Sequence, residues 1–108
     1  MAELGEILPR DLKARMEQGD SPLILDVREV EEVALAPFPR ATHIPMGEIP
    51  SRLAELDPEQ EVVVVCHHGV RSAHVAGYLS SVGFERVFNL TGGIDAWSIG
   101  VDPTVPRY

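Results

Sequence analysis

Glu61 to Arg71 reads EVVVVCHHGVR: four adjacent valines run straight into a cysteine, two histidines, a glycine, a further valine and an arginine. β-Branched side chains are stiff at χ1, crowd a helix and pack well on a pleated surface, so Glu61–Val65 is predicted to be a strand. Its unbroken apolar character predicts burial on both faces. Only five residues, His67 to Arg71, separate the cysteine from a helical pattern over 72–82. There Val75, Leu79 and Val82 recur on one stripe and Gly83 supplies a stop. A strand that passes through a tight loop into a helix is the repeating half-unit of a parallel α/β sheet.

The same alternation extends outward in both directions. Leu23–Val27 (LILDV) is a second short apolar run, and Arg86–Leu90 reads as the last strand. Towards the amino terminus, Gly5–Leu8 is a short strand candidate. Pro9 then suits the first turn of a helix reaching Glu17, with Leu12 and Met16 on one face and Gly19 beyond its end. Glu29–Leu35 is predicted to be a short helix, residues 37–40 a loop, Thr42–Ile44 a brief strand, and Met46–Leu56 a helix with Leu53 and Leu56 facing inward. Gly92-Gly93 opens a final helix to about Trp97, and the proline-containing segment 102–108 is expected to wrap the surface. The expectation is an α/β fold in three layers: a central, mostly parallel sheet of about five strands with helices on both faces, residues 1–108 forming a single domain.

Composition narrows the function. The 108 residues suit one core, and the formal net charge of −8 comes with basic residues scattered from Arg10 to Arg107. No basic block could follow a phosphate backbone, so nucleic acid is not expected as a partner. The longest aliphatic run, Val62–Val65, falls far short of a membrane span, and the acidic opening MAELGEILPRDLK has no signal-like apolar stretch. No membrane partner is therefore expected, and a cytoplasmic location is. With a single cysteine there is no intrachain disulfide and no multi-cysteine zinc site.

That cysteine, Cys66, stands where reactive groups collect in open parallel sheets, at the carboxyl end of a strand beside a helix amino terminus. Main-chain N–H groups of such a turn favour negative charge, so the thiol is expected to ionise more readily than a free cysteine. Gly69 allows the loop to turn, and Arg71 is expected to add a cation beside the sulfur. An isolated cysteine at a strand end is commonly plain core, but His67, His68, Gly69 and Arg71 in the next five positions are poor core residues. His67 and His68 suit an anionic donor or proton transfer near the pocket mouth. Three consecutive side chains rarely converge on one ion, so no metal is expected. His43 and His74 are read as structural or exposed. Asp26 ends its strand and is placed beside the Cys66 loop, able to bond its backbone or Arg71, with Asp26 and Arg28 in supporting, structural roles.

Four segments together resemble the rhodanese-like domain family: Asp26-Val27-Arg28-Glu29, Ala41–Met46 (ATHIPM), Cys66–Arg71 (CHHGVR) and Asn89–Trp97 (NLTGGIDAW). They span nearly the whole chain, which departs from the family at Ala36–Arg40 (APFPR), where Gly-His-Ile-Pro-Gly is usual. The resemblance implies the rhodanese-like fold and a thiosulfate sulfurtransferase in which catalytic Cys66 carries sulfur as a persulfide. It implies that the backbone amides of His67, His68, Gly69, Val70 and Arg71 bind the outer sulfur. It also implies a small-molecule sulfur donor, and a thiophilic acceptor such as cyanide or a sulfur-relay protein. No cofactor is implied, and the protein is expected as a monomer or weak homodimer. Cysteine to arginine is a C-x4-R loop here, whereas cysteine phosphatases use C-x5-R, whose wider ring suits a tetrahedral phosphate. Phosphatase or arsenate-reductase chemistry therefore ranks below sulfur transfer, and a non-catalytic or carrier binding module is the alternative from another class.

Overall fold

The valine run is the centre of the molecule. In the computed structural model, which describes residues 3–108, Val62–Val65 forms strand β4 and all four valines are 0 % exposed. Burying a valine side chain contributes roughly 1.5 to 3 kcal/mol, so this strand alone anchors the core. Its alternate residues serve opposite faces. Val62 and Val64 pack with Leu25, Ile44, Val75 and Leu79, whereas Val63 and Val65 pack with Leu12, Leu90, Ile94 and Trp97.

The other strands are β1 (Glu3–Ile7), β2 (Leu23–Asp26), β3 (Ala41–His43) and β5 (Arg86–Leu90), in the spatial order β1-β5-β4-β2-β3. Every neighbouring pair is parallel, so the sheet is parallel throughout rather than mostly so. The α-helices are α1 (Pro9–Glu17), α2 (Val30–Leu35), α3 (Val70–Ser81) and α4 (Gly93–Gly100). Residues of α3 pack in one of the two core clusters, and residues of α1 and α4 in the other, giving the three layers. Among the described residues no helix is long and apolar enough to cross a membrane.

Several boundaries differ from the sequence reading. β1 covers Glu3–Ile7 instead of Gly5–Leu8, because Leu8 is the N-cap of α1. The predicted helix over 46–56 is two 3₁₀ segments, Met46–Glu48 and Pro50–Glu55. Pro50 has no N–H to return to Met46, so an α-helical ladder cannot pass through it. Leu56 is buried as expected and Leu53 packs partly buried against the same cluster. α3 starts at Val70, two residues earlier than predicted, and Val82 lies beyond its end and is 43 % exposed. α4 runs past Trp97 to Gly100.

The tail runs over the surface as expected, with Pro103, Thr104, Pro106 and Arg107 exposed, and is pinned there by one buried residue. Val105 is buried in the second cluster with Tyr108 packed against it, and Ser98 Oγ bonds Val105 O at 2.6 Å. The divergent APFPR segment also has a packing role: Ala36 and Phe38 are buried, and the Phe38 ring lies 4.7 Å from that of Trp97.

Candidate active site

β4 carries Cys66 to the carboxyl edge of the sheet, and the chain turns into α3 at Gly69, its N-cap. Gly69 has a φ of 96°, in the left-handed region, and a Cβ there would sit 3.2 Å from Gly92 N. The turn aims donors at one atom. Cys66 Sγ receives the N–H of Gly69 at 3.1 Å, the N–H of Ser72 at 3.3 Å and the hydroxyl of Ser72 at 3.2 Å. Ser72 is the third residue of α3, so the sulfur occupies the place where an anion meets a helix amino terminus.

The back of the loop is fixed as well. Cys66 O accepts from Ile94 N at 2.9 Å and His67 O from Asp95 N at 3.0 Å, which ties both carbonyls to the first turn of α4. This docking needs the paired glycines: a Cβ on Gly93 would lie 2.5 Å from both of those carbonyl oxygens, and one on Gly92 would lie 2.6 Å from Ala96 Cβ. With its carbonyls held behind, the loop keeps the amides of His67, His68, Val70 and Arg71 free of acceptors among the described residues. Cys66 itself is 1 % exposed and packs with the core cluster of Val62, Val64 and Val75.

Asn89 on β5 braces the turn. Its Nδ2 donates to Gly69 O at 3.0 Å and to the Glu6 carboxylate, while its Oδ1 accepts from the Ser72 hydroxyl.

Arg71 adds the expected positive charge near Cys66, and it has a partner that the sequence reading did not name. Its guanidinium makes a two-pronged pair with Glu32 at 2.6 and 2.8 Å, so Glu32 is its partner and not Asp26. The Arg71 hydrogen bonds hold the Glu32 carboxyl well below the usual range, at about 2. Asp26 is taken by Arg28, two positions along an extended backbone and hence on the same side of it. The Asp26 carboxylate accepts from Arg28 Nε at 3.0 Å, Nη2 at 2.7 Å and its backbone N–H at 3.1 Å. Arg28, 0 % exposed, also reaches Ala36 O at 2.7 Å and Tyr108 Oη at 3.0 Å. His43 meets Arg28 O at 2.6 Å and is structural, and His74 is exposed, both as expected.

The histidines divide. The His67 ring is stacked on Tyr108, with centroids 3.8 Å apart, and on His68, also at 3.8 Å. Burial, followed by the neighbouring His68, pushes the His67 imidazole below its ordinary range, which favours the neutral ring. Its Nε2 is buried without a partner among the described residues. His68 is exposed, and Val70 is 66 % exposed at the rim. Ligand atoms of His67, His68 and Asp95 lie within 4.8 Å of one another. Asp95 is bonded by Arg107 at 2.9 Å.

Four residues of this site escaped the sequence reading: Ser72, Asn89, Glu32 and Tyr108. Ser72 becomes visible once Gly69 is taken as a helix N-cap, which makes residue 72 the third helical position. Glu32 closes a capping box with Glu29, but a glutamate at the N-cap is a weak signal. Asn89 and Tyr108 reach the site only through tertiary folding.

The family model for the rhodanese-like domain matches residues 8–99. YtwF of Bacillus subtilis is 43 % identical over 95 residues, covering 88 % of this chain and 91 % of that one. A Pseudomonas savastanoi protein named thiosulfate sulfurtransferase GlpE is 33 % identical over 97 residues, covering 90 % of each. The crystal structure of a rhodanese-like domain protein from Staphylococcus aureus superposes with a TM-score of 0.84 at 34 % identity, over 96 % of this chain and 98 % of that one.

Proposed function

Since the chain belongs to the rhodanese-like domain family, we propose that it is a sulfurtransferase working through a persulfide on Cys66, with thiosulfate or a related compound as donor. The observation that carries this reading is the set of donors from Gly69 and Ser72 converging on Cys66 Sγ beside amides without acceptors. These donors meet the atom that acts as the nucleophile in loading and as the leaving group in release. In the reaction, the Cys66 thiolate bonds the sulfane sulfur of thiosulfate while the bond to the sulfonate sulfur breaks and sulfite leaves with the electron pair. Negative charge moves to the outer sulfur, where the free amides of His67, His68, Val70 and Arg71 supply new donors. A thiophile such as cyanide, or a thiol of a sulfur-relay protein, then takes that sulfur and regenerates the thiolate.

In this reading Arg71 shapes the loop through Glu32, while Asp26 and Arg28 act as scaffold. Residues 1–108 work as one domain in the cytoplasm. The similarity to GlpE supports thiosulfate as the donor to test first. The test is incubation with thiosulfate, intact-mass measurement, and then addition of cyanide. One added sulfur atom per chain, lost as thiocyanate forms, is expected. A mass unchanged by thiosulfate and by 3-mercaptopyruvate alike would overturn the proposal.

A further inference from the structure

Ser72 stands out as a buried polar side chain set against the reacting atom. It is 0 % exposed, and its hydroxyl faces two acceptors, Cys66 Sγ at 3.2 Å and Asn89 Oδ1. The Asn89 amide cannot turn round to donate instead, because its Nδ2 is held by Gly69 O at 3.0 Å and by the Glu6 carboxylate. A serine hydroxyl has one proton, so it donates to one of these acceptors at a time. Which one wins depends on the charge of Sγ.

Resting on the persulfide reading above, we infer that Ser72 is a second catalytic residue: its hydroxyl turns from Asn89 to Cys66 Sγ when that sulfur becomes a thiolate, and so stabilises it as the leaving group of sulfur release. The neutral thiol donates its S–H to Ser72 Oγ while Ser72 donates to Asn89. In the persulfide, Sγ is a bridging sulfur without proton or charge, and Asn89 is the better acceptor. During release, the acceptor bonds the outer sulfur, the S–S bond breaks and its electron pair returns to Sγ. The developing charge then draws the Ser72 proton in addition to the fixed N–H groups of Gly69 and Ser72. A donor that strengthens only as charge develops lowers the barrier of that step. Ser72 has a smaller effect on loading, where the thiolate is consumed and the same hydrogen bond is given up.

The experiment separates the two half-reactions in single turnover, loading with thiosulfate and release from preloaded protein to cyanide. Ser72→Ala should slow release roughly tenfold and leave loading nearly unchanged, the size of a single charge-assisted hydrogen bond. Ser72→Thr and Ser72→Val have nearly the same shape and differ in the hydroxyl, so losses due to packing are common to both. Thr should restore release, and Val should not. Equal release rates in Thr and Val, or loading and release slowed alike in Ala, would overturn the inference. A wild-type chain that takes up no sulfur would instead overturn the persulfide reading itself.

Discussion

The carboxyl ends of β2 and β4 lie side by side, Asp26 in register with Val65, yet the two neighbours are built to opposite principles. At β2 the buried charges are fully matched: the donors of Arg28 are distributed over Asp26, Ala36 O, Glu32 O and Tyr108. At β4 the donors outnumber the acceptors. Gly69 and Ser72 aim at one sulfur, and four further amides face no acceptor among the described residues. Saturated polar groups hold a shape, because any change leaves one of them unpaired in a dry interior. Surplus donors hold affinity for a charge that arrives during a reaction. The burial of both ends in the same sheet shows that burial alone does not separate scaffold from chemistry, whereas the balance of donors and acceptors does.

The contrast can be broken at either end, and the largest effect is expected at β4. Cys66→Ser should lower thiocyanate formation about ten-thousandfold or more, the scale of removing a nucleophile, while the melting temperature stays within a few degrees. At β2 the pattern should reverse. Asp26→Ala leaves the buried guanidinium of Arg28 unpaired and should cost about 3 to 5 kcal/mol, read as a fall in melting temperature on the order of 15 °C or more. Persulfide yield per folded molecule should stay near that of the wild type. A β2 variant that lost chemistry without stability would contradict the division of labour.

Gly93→Ala tests the docking of the loop carbonyls on α4. With a φ of 63° and two carbonyl oxygens 2.5 Å from the new Cβ, it should cost roughly 1 to 3 kcal/mol and reduce sulfur loading. Gly47→Ala, with nothing within 4 Å of its Cβ, is the control that should do neither.

The smallest effect falls on the pair linking the two ends. Glu32 is held at about 2 against an ordinary 4.5, so the stability it contributes is present above pH 4.5 and lost as the pH falls towards 2. Glu32→Gln should cost about 1 kcal/mol at neutral pH and flatten that part of the acid limb. Urea midpoints on either side of the window check both.

Much of this was legible in the chain itself. Val62–Val65 declared a central strand because four β-branched residues in a row have few other stable settings, and the glycines at 69, 92 and 93 marked the turns that bring Cys66 against α4. The helix misread over 46–56 shows the limit of apolar spacing, since Pro50 overrides it. The site was legible where residues are neighbours in sequence, as for Cys66 and Gly69. Partners reaching across the fold were not. Glu32 is 39 residues from Arg71 and Tyr108 is 80 from Arg28, and no local pattern encodes such a meeting. Arg71 was accordingly read without its partner: its guanidinium pairs with Glu32 and also adds positive charge to the surroundings of Cys66.

The surplus of donors at Cys66 is most directly tested by a crystal structure of the protein treated with thiosulfate. The account predicts one additional sulfur bonded to Sγ, with at least two of the amides of His67, His68, Val70 and Arg71 about 3.5 Å or less from it. An outer sulfur seated away from those amides, or a loop reorganised so that they bond elsewhere, would contradict it.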